Sequence, residues 1–278
     1  MTPSLTDRFT VIDNSPTTPV ILHAPHGSRF IPDELLPTYL VDENELDRER
    51  DLMTDHFTDE MVESAVAATG ASAIVNRLSR FVVDVERFPD EREEMLAVGM
   101  GAFYTHGSQG QRIRASSVMT DPALREFFDA YSLAFTELVQ RTVDAHGRAI
   151  IIDVHSYPTS PLPYEVHSHE PRPQLDIGAD ETHTPAELID AVRSAFGELE
   201  SGVNDSFHGT YVPLRFYDAR DTRVQSVMLE IRRDVYMDEA AVTRNASGYE
   251  QLAKQLVRLV GYLQPKDSTT TTPGGNHD

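Results

Sequence analysis

The sequence contains no cysteine, and its basic residues are far fewer than its acidic ones. The lack of cysteine excludes disulfides, thiolate zinc sites and cysteine nucleophiles, and it fits a reducing compartment. Lys and Arg number 24 against 45 Asp and Glu, which gives a formal charge of −21. Because nucleic acids and anionic membrane surfaces are bound by basic faces, the charge argues against both as partners.

Long apolar runs are also missing, since none approaches the roughly 20 residues that span a bilayer. The first residues, MTPSLTDRFTVID, lack the basic and then apolar pattern of a signal peptide. We therefore expect a soluble, cytoplasmic protein, whose oligomeric state the sequence does not indicate. With no internal repeat and no long linker, residues 1–265 are predicted to form a single catalytic domain. The polar residues 266–278 are predicted to be a disordered tail.

Short apolar runs without polar alternation predict strands that are buried on both faces. These runs are residues 20–22, 73–75, 81–83, 149–152 and 227–229. Amphipathic patterns between them predict helices over residues 42–68, 121–146, 184–196 and 238–263. Helices that alternate with buried strands indicate an α/β protein with a mixed, largely parallel sheet.

Polar residues follow three of the predicted strands. His26 follows the first run, His155 follows the fourth, and Glu230 lies near the end of the fifth. Ligands of open α/β sheets collect at the carboxyl ends of the strands, so we expect these residues to form one site. Taken alone, His23 and His26 are equally consistent with structural histidines at the end of a strand.

A metal ion is one ligand that such a site can hold. Asp153 and His155 alternate along a predicted strand and share a face, so the carboxylate can orient a metal-binding imidazole ring. With no cysteine available, a third ligand has to be another oxygen or nitrogen donor. Asp51 and Asp55 lie four residues apart on a predicted helix and are both candidates, although a charged helix face is more often simply solvated. A His-Asp-His set with an open position is typical of catalytic zinc.

Glu230 lies within an apolar run. A carboxylate there needs a charged or hydrogen-bonding partner, or it has a functional role. One interpretation is a general base that activates water. The alternative is an ion pair with Arg232 or Arg233.

The segment from residue 76 to residue 87 is rich in arginine. Arg77, Arg80 and Arg87 could bind a substrate carboxylate through forked hydrogen bonds. The competing interpretation is that they form ion pairs with Asp84, Glu86 and neighbouring acidic side chains.

Together these motifs resemble the N-formylglutamate amidohydrolase family. The matching segments, in the family's order, are residues 23–27, 51–55, 79–87, 153–156, 204–211 and 229–238. The resemblance implies a three-layer α/β/α sandwich related to the zinc carboxypeptidases. It also implies one zinc ion per chain, with His26 and His155 as ligands. Asp51 is our choice for the third ligand, with Asp55 in reserve.

The resemblance also implies roles in catalysis. Glu230 would be the general base, and Arg80 and Arg87 would hold the substrate carboxylate or polarise the scissile carbonyl. Asp84 would orient an arginine. Arg77 and Tyr211 are assigned to substrate binding. The implied substrate is a small anionic acyl-amino acid, with N-formylglutamate cleaved to formate and glutamate.

One departure from the family pattern concerns the substrate. Glu86 stands where the family usually has asparagine, and an acidic group there would oppose a carboxylate ligand unless it is paired. A deacylase or carboxypeptidase-like activity on another small carboxylate is therefore an alternative, and an inactive binding homologue is a third hypothesis. The complete His/Asp/His/Glu set favours an enzyme. A serine hydrolase is disfavoured because no Gly-x-Ser-x-Gly elbow is present.

Overall fold

A seven-stranded sheet forms the centre of the computed structural model, which describes residues 5–165 and 171–265. Its strands are β1 (Phe9–Ile12), β2 (Val20–Ala24), β3 (Ser72–Asn76), β4 (Ala149–Tyr157), β5 (Leu175–Gly178), β6 (Ser201–Val203) and β7 (Val224–Arg232). Across the sheet their order is β1-β3-β2-β4-β7-β5-β6. The central strands β3, β2, β4 and β7 are parallel, whereas β1 and β5 each run antiparallel to the central strand beside them. The predicted mixed, largely parallel sheet is confirmed.

Helices cover both faces of this sheet. They are α1 (Glu43–Met53), α2 (Thr58–Thr69), α3 (Pro122–His146), α4 (Ala186–Ala195), α5 (Leu214–Tyr217) and α6 (Ala246–Leu263). Apolar side chains of α1 and α3 pack in one hydrophobic core, and those of α2, α4 and α6 pack in a second core on the opposite face. The predicted α/β/α layering is therefore confirmed. Within the described part of the chain, no helix combines the length and apolarity needed to cross a membrane.

Successive side chains along each central strand point to opposite faces of the sheet, and this alternation decides which of them reach the site. In β4, Ile150 and Ile152 pack in the core with α2, α4 and α6, whereas Ile151 packs in the core with α1 and α3. Asp153 and His155 therefore continue on the α1 and α3 side. Strand register places His23 beside Asp153 and Glu230 beside His155. Four polar side chains consequently share one face of the sheet near its carboxyl edge.

The predicted strand over residues 81–83 is wrong. These residues are fully buried, but they lie in turns between β3 and α3. The carbonyl groups of Phe81 and Val82 accept from side chains instead of a neighbouring strand. Tyr39 Oη donates to Phe81 O at 2.9 Å, and the Arg114 guanidinium donates to Phe81 O and Val82 O at 2.8 and 3.1 Å. An apolar run indicates burial, and side-chain donors allow burial without a strand.

The single helix predicted over residues 42–68 is also wrong, because the helix is interrupted between Met53 and Thr58. Phe57 takes a left-handed backbone conformation (φ 68°), and the Asp55 amide donates to His26 O at 3.0 Å instead of continuing a helix. This break separates α1 from α2. It also turns Asp55 toward the sheet.

The other helix boundaries agree more closely with the sequence. Asp121 caps α3 by accepting from the amides of Ala123 and Leu124, and Gly147 ends it with φ 71°. The predicted start of α6 at residue 238 is wrong, since residues 237–244 contain a two-stranded ladder of β8 (Met237–Asp238) and β9 (Thr243–Arg244) and the helix begins at Ala246. The predicted tail, residues 266–278, lies outside the described residues.

Candidate active site

A cavity of about 500 Å³ lies over the carboxyl ends of β2, β4 and β7. His26, His155 and Glu230, the three residues that follow predicted strands in the sequence, all line it. They arrive there because parallel neighbouring strands end at the same edge of the sheet. The site therefore collects groups that are more than 200 residues apart in the chain.

Three potential ligand atoms form a triangle in this cavity. His26 Nδ1 lies 3.3 Å from His155 Nδ1, and Asp55 Oδ2 lies 3.0 Å from His155 Nδ1 and 3.7 Å from His26 Nδ1. All three side chains are buried. Two imidazoles and one carboxylate are a donor set that can hold a metal ion.

Carboxylates behind the triangle orient both imidazole rings. His26 Nε2 lies 2.9 Å from Asp84 Oδ1, and His155 Nε2 lies 3.0 Å from Asp153 Oδ1 and 3.2 Å from Glu86 Oε1. Since each ring directs Nε2 to a carboxylate, the Nδ1 atoms are left to face each other. This is the usual outer hydrogen-bonding arrangement of metal-binding histidines.

Asp51 does not reach this cluster, contrary to our choice for the third ligand. Its side chain is 38% exposed on α1 and lies 2.7 Å from the Arg29 guanidinium, whereas the Asp55 side chain is 2% exposed. The two residues would share a face only if the helix continued, and α1 ends at Met53. The reserve candidate, Asp55, is the carboxylate that the structure brings to the two histidines.

The charge states of the triangle depend on one another. Burial alone would raise the pKa of the Asp55 carboxyl, but hydrogen bonds and positive charge from His155 and His26 outweigh it and lower the pKa. Burial would lower the pKa of His155, yet the carboxylates of Glu86 and Asp153 raise it well above its ordinary value. The cluster therefore concentrates negative charge that favours a cation between the rings.

Glu230 lines the cavity, and its surroundings favour the protonated form of its carboxyl group. Burial raises its pKa from an ordinary value of 4.5 to about 8, and its Oε2 has no hydrogen-bond partner. The alternative of an ion pair with a neighbouring arginine is not observed. Arg232 pairs with Asp234 at 2.8 Å, and Arg233 lies 3.6 Å from Asp55 Oδ1.

We expect the pKa of Glu230 to make the metal-free protein less stable as the pH rises. The folded state binds the carboxyl proton more tightly than the unfolded chain, so this contribution is fully present below about pH 4.5 and is lost as the pH rises toward 8. Chemical denaturation of chelator-treated wild type and Glu230→Gln at pH 5 and pH 8 measures it. The Gln variant should lose less unfolding free energy between the two pH values, and equal losses would contradict the expected shift.

Two arginines, Arg80 and Arg87, line the cavity next to Asp84. Arg80 donates to Asp84 Oδ2 at 2.9 Å and to Tyr104 Oη at 3.1 Å, and Arg87 Nε lies 3.4 Å from the same carboxylate oxygen. Both arginines line the cavity. Asp84 thus contacts His26 through one oxygen and the arginines through the other, and it fixes the spacing between them.

The structure places Arg77 elsewhere, contrary to its assignment to substrate binding. Its guanidinium pairs with Glu63 and lies 3.5 Å from Asp59, both on α2, and it does not line the cavity. Arg77 is the first residue after β3, and its amide donates to Arg8 O at 2.9 Å, next to the edge strand β1. Its ion-pairing interpretation is the one that the structure supports.

Tyr211 does line the cavity. Its ring stacks on Phe135 with centroids 5.3 Å apart and lies 5.1 Å from the His23 ring, and its amide donates to Asp153 Oδ2 at 3.4 Å. Two further residues of the site are not predicted by the sequence: Arg233 lines the cavity, and Tyr104 Oη donates to Asp84 Oδ2 at 2.8 Å. Arg233 follows Glu230 closely in the sequence, but its approach to Asp55 depends on the turn after β7, which no local pattern indicates.

Comparison with known proteins shows which family the chain belongs to. The model of the N-formylglutamate amidohydrolase family matches residues 18–237. The chain belongs to the N-formylglutamate amidohydrolase family. Every residue of the cavity discussed above, from His26 to Arg233, lies within the matched range.

Individual relatives of this family member are distant in sequence. An N-formylglutamate deformylase of Pseudomonas aeruginosa is 23% identical over 248 residues, which cover 86% of this chain and 90% of the relative. The crystal structure of an N-formylglutamate amidohydrolase from Ralstonia eutropha has a TM-score of 0.74 at 21% identity and covers 92% of this chain and 98% of that one. A protein from Agrobacterium tumefaciens has a TM-score of 0.62 at 17% identity, with 92% and 94% covered. These two structures show that the fold is shared.

Proposed function

We propose that this protein is a zinc-dependent amidohydrolase that cleaves the N-formyl amide of an amino acid, with N-formylglutamate and water giving formate and glutamate. The observation that carries the proposal is the triangle of His26 Nδ1, His155 Nδ1 and Asp55 Oδ2 beside Glu230 in one cavity. The name and activity of the relatives provide independent support.

The triangle fits a zinc ion in both size and chemistry. Ligand atoms at about 2.0–2.1 Å from a tetrahedral ion lie roughly 3.3 Å from one another. The three separations here are 3.0, 3.3 and 3.7 Å. His26, Asp55 and His155 would therefore hold the ion and leave one position open, which is the arrangement of catalytic zinc sites.

The zinc ion and Glu230 would have different roles in the hydrolysis. A bound zinc ion would polarise the scissile carbonyl and make water more acidic. Glu230 would take a proton from the attacking water and pass it to the departing amine. Its raised pKa suits this role, because a base with a pKa near the working pH also returns the proton readily.

Arginines would bind the charged end of the substrate. The protein carries a formal charge of −21, so an anionic substrate is repelled at long range and needs local positive charge. Arg87 would pair with the substrate carboxylate, and Arg80 would stabilise negative charge that develops on the carbonyl oxygen. Asp84 would keep both guanidinium groups in place, and Tyr211 would contact the substrate from the opposite wall.

A different acyl-amino acid is the second candidate substrate, and Glu86 is the observation that favours it. Its carboxylate lines the cavity next to Arg87 and lies 3.2 Å from His155 Nε2. A negative charge at this position weakens the binding of a carboxylate in the same part of the cavity. Substrates with a larger acyl group or a neutral amino-acid portion would be less affected.

A substrate panel tests the proposal. Purified protein supplied with zinc is assayed with formyl-, acetyl- and peptidyl-amino acids, and release of the free amine is measured. We expect N-formylglutamate to give the highest kcat/KM. Preference for an acetyl or peptidyl substrate would favour the second candidate, and no turnover of any amide by zinc-loaded, folded protein would overturn the proposal.

A further inference from the structure

We propose that Arg233 and Tyr236 are positioning residues that hold Asp55 against the two histidines of the ligand triangle. Both lie in the turn that follows β7, and neither belongs to the triangle itself. The proposal rests on the proposed function, because it treats Asp55 as a metal ligand. Its test measures zinc affinity in variants that keep every ligand, so the two proposals can fail separately.

The segment that carries Asp55 belongs to no helix or strand. Residues 54–57 connect α1 to α2, and the last carbonyl groups of α1 have no partner within that helix. The Asp55 amide donates to His26 O at 3.0 Å, and the Thr58 hydroxyl donates to Asp55 O at 2.8 Å. These bonds fix the main chain at Asp55 itself, whereas the residues on either side are held by the turn after β7.

Arg233 binds the end of α1. Its Nη1 donates to Leu52 O at 2.7 Å, and its side chain is only 5% exposed. Leu52 is the last residue but one of α1, so its carbonyl is one that the helix does not pair. A hydrogen bond with a charged donor is stronger than one between neutral groups. The contact therefore fixes where α1 ends and where the segment with Asp55 begins.

The same guanidinium also reaches Asp55 and the strand that carries His155. Arg233 Nη2 lies 3.6 Å from Asp55 Oδ1, and Arg233 Nε donates to Ser156 Oγ at 3.3 Å. Asp55 Oδ2 is the oxygen that lies 3.0 Å from His155 Nδ1. Ser156 directly follows His155 in β4. Arg233 therefore connects two segments that supply ligands, and it attracts the carboxylate on the side of Oδ1.

Tyr236 holds the chain on the other side of Asp55. Its Oη donates to His56 O at 2.9 Å, and the tyrosine is fully buried. His56 directly follows Asp55, whereas Leu52 lies before it. Two side chains from one turn thus bind main-chain carbonyl groups on both sides of the metal ligand. A carboxylate on a segment held at both ends has fewer orientations, so less conformational entropy is lost when it binds an ion.

The positive charge of Arg233 makes the proposal specific, because its charge and its positioning role affect zinc binding in opposite directions. A guanidinium close to a Zn²⁺ ion repels it, so an effect of charge alone would make zinc bind more tightly after Arg233 is replaced. Loss of positioning would make zinc bind more weakly. Tyr236 is neutral, and its hydroxyl can be removed without changing the charge of the site.

Zinc affinity of the untagged full-length protein, measured by competition with a chelator, tests the proposal. We expect Arg233→Met to bind zinc about 10–100-fold more weakly than the wild type, the range typical of losing an outer partner. Tyr236→Phe should bind zinc about 2–10-fold more weakly, as for the loss of one neutral hydrogen bond. Arg233→Lys keeps the charge but not the forked donors, and it should recover only part of the affinity.

Gln264→Met is a matched control. It removes a side-chain donor to Thr69 O at 3.0 Å, at the end of α2 far from Asp55, and it should bind zinc like the wild type. Thermal unfolding of the metal-free proteins checks the fold, and Tyr236→Phe decides alone if Arg233→Met does not fold. Unchanged affinity in Tyr236→Phe, tighter binding in Arg233→Met, or an equal loss in the control would each overturn the positioning role.

Kinetics with N-formylglutamate separate this role from substrate binding. If Arg233 bound the substrate carboxylate, Arg233→Met would raise KM at saturating zinc and leave zinc affinity unchanged. That result would overturn the positioning role and keep the proposed function. A wild-type protein that binds no zinc would overturn the proposed function, and the positioning of a metal ligand with it.

Discussion

Replacing Glu230 with Gln is expected to lower kcat/KM for N-formylglutamate by about 10²–10⁴-fold, the range typical of losing a general acid–base group. The amide keeps the size of the side chain but cannot take a proton from water. Glu230 is not part of the ligand triangle, so the amount of bound zinc should not change. Loss of turnover with full metal content would separate a catalytic role from a structural one.

Steady-state kinetics and elemental analysis of the same preparations make this comparison. Glu250→Gln, an exposed position on α6, is a suitable control and should behave like the wild type. The pH profile adds a second criterion, because the wild-type rate should fall at low pH as the base becomes protonated, and the residual rate of Glu230→Gln should lack that step. A variant with wild-type turnover would rule out Glu230 as the base.

Asp55→Asn and Asp51→Asn are expected to have opposite outcomes, although the two residues lie only four positions apart. Asp55 contacts both histidines, so its amide variant should lose zinc affinity by more than the roughly 10–100-fold typical of removing an outer partner, and activity should fall with it. Asp51 pairs with Arg29 on a partly exposed surface, where an ion pair contributes little. Its variant should keep both zinc and activity.

Zinc affinity measured by competition with a chelator, together with kcat at saturating zinc, distinguishes the two variants. Thermal unfolding of the metal-free proteins checks that neither substitution disrupts the fold. If Asp51→Asn lost zinc while Asp55→Asn kept it, the arrangement at the break between α1 and α2 would be wrong.

The fold and most of the cavity follow from local patterns in the sequence. Buried apolar runs predict the central strands, and the polar residues near their ends, His26, His155 and Glu230, are among the residues that line the cavity. Topology makes this inference reliable, because parallel neighbouring strands bring their carboxyl ends to one edge. The Asp121 cap and the glycine at 147 likewise define α3 from local chemistry.

Contacts between distant segments decide the details that local patterns do not reveal. Asp55 replaces Asp51 at the histidines because its amide pairs with His26 O and the helix ends at Met53. A continuous helical pattern cannot anticipate a break that is stabilised by a partner about 30 residues away. Residues 81–83 resemble a strand because they are buried, but Tyr39 and Arg114 satisfy their carbonyls from other elements.

The position of Glu86 illustrates the same distinction. From the sequence it is an acidic residue beside an arginine, and its charge suggests either an ion pair or a poor fit for an anionic substrate. In the folded protein it lies among His23, His26 and His155, because the turn after residue 84 folds over the ends of β2 and β4. Residue types and strand order are thus enough to predict a site with this chemistry, whereas the tertiary structure decides which carboxylates face the histidines, since hydrogen bonds between separate segments set the direction of each side chain.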